Sequence, residues 1–193
     1  MKYVLGLTGP TGSGKTTACK VAENMGWYVI NCDKLVHTAY ENEVLISALT
    51  SAFGSGILTE NKINRKELGK IAFSSKENTN LLNKTVLPFI LEVIKEEISS
   101  AKSEKILLDA PTLFESGANA LCNATCAILS SPENRLARIL LRDNITLDSA
   151  KARMSAGKSD EYYKDKTPHI IYNNGQEKDL ETAFFRFLNK IGG

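Results

Sequence analysis

The run Gly9-Pro10-Thr11-Gly12-Ser13-Gly14-Lys15-Thr16 constrains this chain more than any other feature. It fits G-x-x-x-x-G-K-[ST], and it lies between a short apolar run, Tyr3 to Leu7, and a helical pattern, Thr16 to Met25, stopped by Gly26. Strand, glycine loop, helix is the context in which that pattern binds polyphosphate. The glycines let backbone N–H groups converge on phosphate oxygens, and the helix dipole adds a positive end. A lysine bridges the outer phosphates and a hydroxyl reaches Mg²⁺. On this reading Gly9, Thr11, Gly12, Ser13, Gly14, Lys15, Thr16 and Thr17 bind ATP, Lys15 also serves catalysis, and Thr16 is a metal ligand.

The rest of the chain alternates strands with helices. Trp27 to Ile30 is a second β-branched and aromatic strand, which delivers Asn31-Cys32-Asp33, and Lys34 to Phe53 reads as one helix ended by Gly54-Ser55-Gly56. From Asn64 to about Ser103 only helical spacing is found, through Leu68, Ile71, Leu82, Val86, Ile90 and Ile94. Ile106 to Leu108 restarts the strand pattern and ends in Asp109; Ala124 to Leu129 is the next strand, before Ser130-Ser131-Pro132-Glu133 opens a helix through Arg142. Thr146 to about Ala156 is helical, Gly157 to Thr167 reads as a mobile polar segment, Ile170 to Tyr172 is a last strand, and Leu180 to Ile191 a closing amphipathic helix.

Such alternation implies right-handed crossovers and a mostly parallel sheet covered on both faces. The expected fold is α/β, a P-loop NTPase-type three-layer sandwich with a helical acceptor-binding insertion and a lid. The expected divisions are a nucleotide-binding core over 1–56, 105–142 and 168–193, an insertion over 57–104, and a lid over 143–167.

Ligands of open parallel sheets bind at the carboxyl ends of the strands, so residues that follow strands are the candidates for chemistry. Asp33 suits two roles: a base for an attacking alcohol, or the N-cap of the helix after it. Asp109 resembles the carboxylate that helps hold Mg²⁺, although an aspartate closing a buried strand is also common. Arg135 and Arg138 read as a solvated basic face, whereas Arg142 and Arg153 suit a lid that closes on phosphates, with Lys158 beside it. Asn173-Asn174-Gly175 is a turn that can also present an amide to a purine.

Composition closes off several function classes. With 24 basic and 22 acidic residues among 193, a net charge of +2 excludes a cationic coat for nucleic acid or an anionic membrane. That average hides a basic stretch, since residues 135 to 158 hold six basic side chains against two acidic ones. The four cysteines form no C-x-x-C pair and read as reduced intracellular thiols, with Cys122 and Cys126 either buried thiols or a redox pair. No signal peptide and no run of 18 apolar residues is found. The expectation is a cytoplasmic protein with no nucleic-acid, membrane or obligate protein partner.

Together these residues resemble the dephospho-CoA kinase family, whose members use ATP to phosphorylate the 3′-hydroxyl of dephospho-coenzyme A. The similarity runs over nearly the whole chain: the loop through Lys15-Thr16; Val29-Ile30-Asn31-Cys32-Asp33 with His37; Ile63-Asn64-Arg65-Lys66-Glu67-Leu68; Asp109-Ala110-Pro111-Thr112-Leu113-Phe114-Glu115; Arg142-Asp143 with Arg153-Met154; and Ile171-x-Asn173-x-Gly175. Leu87-Pro88, Gly157 and Thr167-Pro168 depart from the family pattern, as does Thr112. The resemblance implies Asp33, Lys15 and Arg142 as catalytic residues, and Arg142, Asn173 and Gly175 as further ATP contacts. It also implies Asp33, His37, Arg65, Leu113 and Glu115 around the acceptor, and Mg²⁺ held by Thr16 and Asp109.

Two other readings compete. Another P-loop small-molecule or nucleoside monophosphate kinase needs arginines for a phosphate acceptor, and this chain has six in all, which favours a hydroxyl acceptor. A GTP-dependent switch needs Asn-Lys-x-Asp after a late strand, and Asn189-Lys190 leads only to Ile191-Gly192-Gly193.

Overall fold

A computed structural model describes residues 2–191, with the His37 side chain outside the described set. By contacts the chain divides into two compact units, one of residues 1–31 with 101–193, the other Cys32–Ser100.

The first unit is built on a parallel sheet of five strands: β1 (Tyr3–Thr8), β2 (Tyr28–Asn31), β5 (Lys105–Asp109), β6 (Ala124–Leu129) and β7 (His169–Tyr172), in the order β2-β5-β1-β6-β7. β1 is central, and Val4 to Thr8 are all buried, the continuous burial expected of a strand covered on both faces. Neighbouring residues of β6 face opposite sides. Cys126 and Ile128 join the cluster formed with helices α1 (Lys15–Asn24) and α9 (Glu177–Ile191), while Ala127 and Leu129 pack with Tyr163 and Phe114. The outcome is three layers. Ala18 and Ala22 of α1 are small enough for the helix to lie close to Leu180, Phe184 and Leu188 of α9, and burying the Phe184 ring contributes about 3 kcal/mol.

The first unit also holds α6 (Pro132–Asp143), α7 (Leu147–Ser155) and α8 (Asp160–Lys166). The last of these puts a helix inside 157–167, where the sequence shows only a poorly periodic polar segment: Ser159 caps the helix at the Tyr162 N–H, and Tyr163 is buried. A seven-residue helix with one apolar anchor is too short to show a 3.6-residue pattern among its charges.

The second unit contains α2 (Cys32–Ala39), α3 (Glu43–Phe53), a two-stranded hairpin β3 (Leu58–Thr59) and β4 (Lys62–Ile63), α4 (Arg65–Ala72) and the long α5 (Lys76–Ser100). It is thus larger than the insertion expected over 57–104. The single helix expected over 34–53 is two, because the Asn42 side chain accepts from the Val44 and Leu45 N–H groups and starts α3 afresh. Glu60 and Asn61 both take positive φ, 51° and 62°, the left-handed pair that closes a two-residue hairpin. Leu45, Leu49, Ile57, Leu68, Val86 and Ile94 form its buried interior.

Among the described residues no helix is long and apolar enough to cross a membrane, and none of the four cysteines is in a disulfide. Burial pushes the thiols of Cys122 and Cys126 up to about 12, so neither is a reactive thiolate at neutral pH.

Candidate active site

The glycine loop joins the end of central β1 to the start of α1. Gly9, Gly12 and Gly14 all have positive φ, 136°, 78° and 108°, backbone that side chains rarely adopt. Space is equally restrictive. A Cβ on Gly9 would strike the Ile128 carbonyl, on Gly12 it would stand 2.8 Å from the Arg135 carbonyl, and on Gly14 it would strike the Asn173 amide nitrogen.

The helix that follows is unusual in how it begins. Helices α3, α4, α6, α7 and α8 each start with an Asn, Ser or Thr side chain bonded to their first amides, and each has an acidic residue in its first turn.

 The exception is α1, which starts after Gly14 with neither a side-chain cap nor a first-turn acid. No side-chain cap or first-turn carboxylate competes there with an anion, and the positive end of the helix dipole lies at the loop. Lys15 reaches back over the loop, its Nζ donating to the carbonyls of Gly9 at 2.6 Å and Pro10 at 3.3 Å. Thr16 is exposed, while the Thr17 hydroxyl donates to Glu177 Oε1 at 2.9 Å.

Arg135 and Arg138 overturn the expectation of a solvated face. Arg135 is only 7% exposed and donates through Nε to the Thr11 carbonyl at 3.0 Å. Arg138 donates to the Gly12 carbonyl at 3.3 Å, to Ser130 Oγ at 3.0 Å and to the Asn173 carbonyl at 3.0 Å. Three- and four-residue spacing shows that such side chains share a helix face; it does not say what that face meets. Asn173 is buried, and its Nδ2 donates to the Ser13 carbonyl at 2.8 Å. Gly175 leaves room for the Asp179 carboxylate, which accepts from the Gln176 N–H at 2.9 Å.

On the other side of β1, Asp109 closes β5 opposite Leu7. Asn31, its register partner on β2, donates to Asp109 Oδ2 at 3.1 Å. Burial and then the nearby Asp109 carboxylate push the Cys19 thiol above its ordinary range. Thr16 and Asp109 are hard oxygen donors suited to Mg²⁺. Among the described residues no three His, Cys, Asp or Glu side chains cluster as a metal cage.

A family model described as dephospho-CoA kinase matches residues 3–179. The chain belongs to the dephospho-CoA kinase family. A dephospho-CoA kinase of Lactobacillus johnsonii is 34% identical over the full length of both chains. The solved dephospho-CoA kinase of Campylobacter jejuni is 30% identical with a TM-score of 0.72, covering 99% of this chain and 98% of that one. TT1252 from Thermus thermophilus superposes with a TM-score of 0.83 at 26% identity, covering 100% and 99%. These likenesses carry the α/β P-loop kinase fold.

The dephospho-CoA kinase resemblance named further residues, and the structure distributes them unevenly. Asp33 lies inside the first turn of α2, not before it as a cap would, and is exposed. Arg65 begins α4 with its guanidinium 4.9 Å from the centre of the Tyr40 ring. Arg65 and Tyr40 line a cavity of about 620 Å³ with Glu43, Ile46, Asn61 and Lys62, and Asp33 is not part of that lining. His37 falls outside the described side chains. Leu113 is fully buried in the core, packed on Gly6, while Glu115 is exposed. Arg142 and Arg153 meet on one carboxylate: Asp143 accepts from each at 2.7 Å. Hydrogen bonding to Arg142 holds the Asp143 carboxyl below its usual range. Lys158 lies over the Tyr162 ring at 5.3 Å. Sequence reading missed Arg135, Arg138 and Asn31 as site residues; the Asn31-x-Asp33 spacing after a strand was the one available signal.

Proposed function

We propose that this chain transfers the terminal phosphoryl group of ATP to the ribose 3′-hydroxyl of dephospho-CoA, giving coenzyme A and ADP. The observation that carries the donor half is the uncapped start of α1 behind a glycine loop, and family membership supports the acceptor. The acceptor oxygen attacks the phosphorus, the bond to the ADP oxygen breaks, and the hydroxyl proton passes to Asp33. Lys15 offsets charge on the phosphates. Thr16 and Asp109 would hold Mg²⁺, which would supply charge neutralisation on the phosphate oxygens. The acceptor occupies the helical unit, where Arg65 and Lys62 offer cations beside the Tyr40 ring. Arg142 and Arg153 leave Asp143 for phosphate when the lid, 143–167, closes and excludes water. A cytoplasmic location without nucleic-acid, membrane or obligate protein partners belongs to the same reading.

A coupled assay of ADP formation, with ATP, Mg²⁺ and either dephospho-CoA or AMP, tests it. Turnover is expected with dephospho-CoA; turnover with AMP alone overturns the acceptor. Asp33→Asn is expected to lower kcat roughly 10²- to 10⁴-fold, the range for loss of a general base, with ATP affinity little changed. A near-normal kcat removes Asp33 from the proton step.

A further inference from the structure

Three consecutive carbonyls of the phosphate loop are bonded to side chains from distant parts of the same unit. Arg135 takes Thr11, Arg138 takes Gly12 and Asn173 takes Ser13. In a trans peptide the N–H of the next residue points opposite to the carbonyl, and the described residues contain no cis bond. A carbonyl held on one side of the loop therefore turns the following N–H to the other. Pinning Thr11 aims the Gly12 amide, and pinning Ser13 aims the Gly14 amide. Pinning Gly12 steadies the Ser13 amide, which closes the loop's own turn onto the Pro10 carbonyl at 3.3 Å.

We propose that Arg135, Arg138 and Asn173 are positioning residues for the donor's phosphates: they hold the loop in its anion-binding conformation before any nucleotide arrives. Resting on the kinase reading, this assignment deepens its donor site.

Two further observations support it. Arg135 has a buried Nη2 without a hydrogen-bond partner, so this guanidinium sits where burial is costly and incompletely offset. A position chosen for stability alone would be better filled by an apolar side chain. The glycine pattern also depends on these residues: the Arg135 backbone lies where a Gly12 side chain would go, and the Asn173 amide where a Gly14 side chain would go. Loop and clamp are shaped to each other.

For Asn173 the assignment competes with the purine contact expected from sequence. Tripolyphosphate, which has no base, separates the two. Dissociation constants for Mg·ATP and for tripolyphosphate are measured calorimetrically on the wild-type chain and on Arg135→Met, Arg138→Met and Asn173→Leu. Each variant is expected to bind both probes roughly tenfold more weakly, the size of one hydrogen bond to a charged or buried group. Arg138→Lys should recover part of the loss, because one of several donors remains. The amide resonances of Gly12 and Gly14 should shift in the nucleotide-free variants, a readout that requires no turnover. Should Met at 135 disrupt folding, Arg135→Lys and the Gly12 resonance give the same test.

Unchanged tripolyphosphate binding in the variants overturns the assignment, and for Asn173 a loss confined to ATP returns it to the base. A wild-type chain that binds neither probe overturns the kinase reading as well, so the two failures are distinguishable.

Discussion

Helices α1 and α6 leave the carboxyl ends of neighbouring parallel strands, β1 and β6, yet they begin in opposite ways. α6 satisfies itself: Ser131 accepts from the Asn134 N–H, Pro132 removes one donor, and Glu133 meets the dipole. α1 has Gly14 at the same position and none of these. Within one sheet, the difference between a structural helix and a binding helix is what the chain withholds from its N-terminus. The withheld groups are then kept in place by the neighbour, since the clamping arginines are carried on α6 itself.

Making α1 begin like α6 should have the largest effect. Gly14→Asp places a carboxylate where phosphate binds, at a φ of 108° and against the Asn173 amide. ATP affinity is expected to fall roughly a thousandfold or more, from left-handed strain together with charge repulsion. Calorimetric titration checks this, and binding within a few-fold of wild type would mean that the bare N-terminus is not the anion site. Next comes Lys15→Ala, which leaves the amides in place and removes one cation; kcat should fall roughly 10²- to 10³-fold, as for loss of one transition-state donor. Steady-state assays decide, and an unchanged kcat would leave the loop a binding element without a catalytic lysine. The smallest effect belongs to the self-satisfied helix. Ser131→Ala should cost about 1 kcal/mol of stability by urea unfolding, the usual value of an N-cap; a loss of several kcal/mol would show that the Ser131 side chain holds far more than one helix end.

Much of this was legible because it is local. The strands around Leu5, Ile30, Leu107 and Ile128, the glycine loop and the carboxylate ending β5 all follow from runs of a few residues whose backbone preferences agree with the fold. The break at Asn42 was missed because an Asn cap inside an apolar periodic stretch resembles a tolerated polar position. Tyr163 was missed because one buried ring among charged neighbours gives no period. Leu113 belongs to a motif matched by resemblance, and resemblance preserves residue type without telling a core contact from a ligand contact. The clearest misreading was of Arg135 and Arg138, for charge on a helix face argues for solvent until a neighbour is known.

By itself the sequence determined that residues 9 to 16 form a tight glycine turn between a strand and a helix, because its three positive-φ positions need glycine. Tertiary structure alone decided how that turn is held. The groups on its carbonyls come from 124, 126 and 160 residues away along the chain. A hydrogen bond between such distant residues has no local periodicity to announce it; it exists only once the sheet has brought α6 and the end of β7 beside the loop.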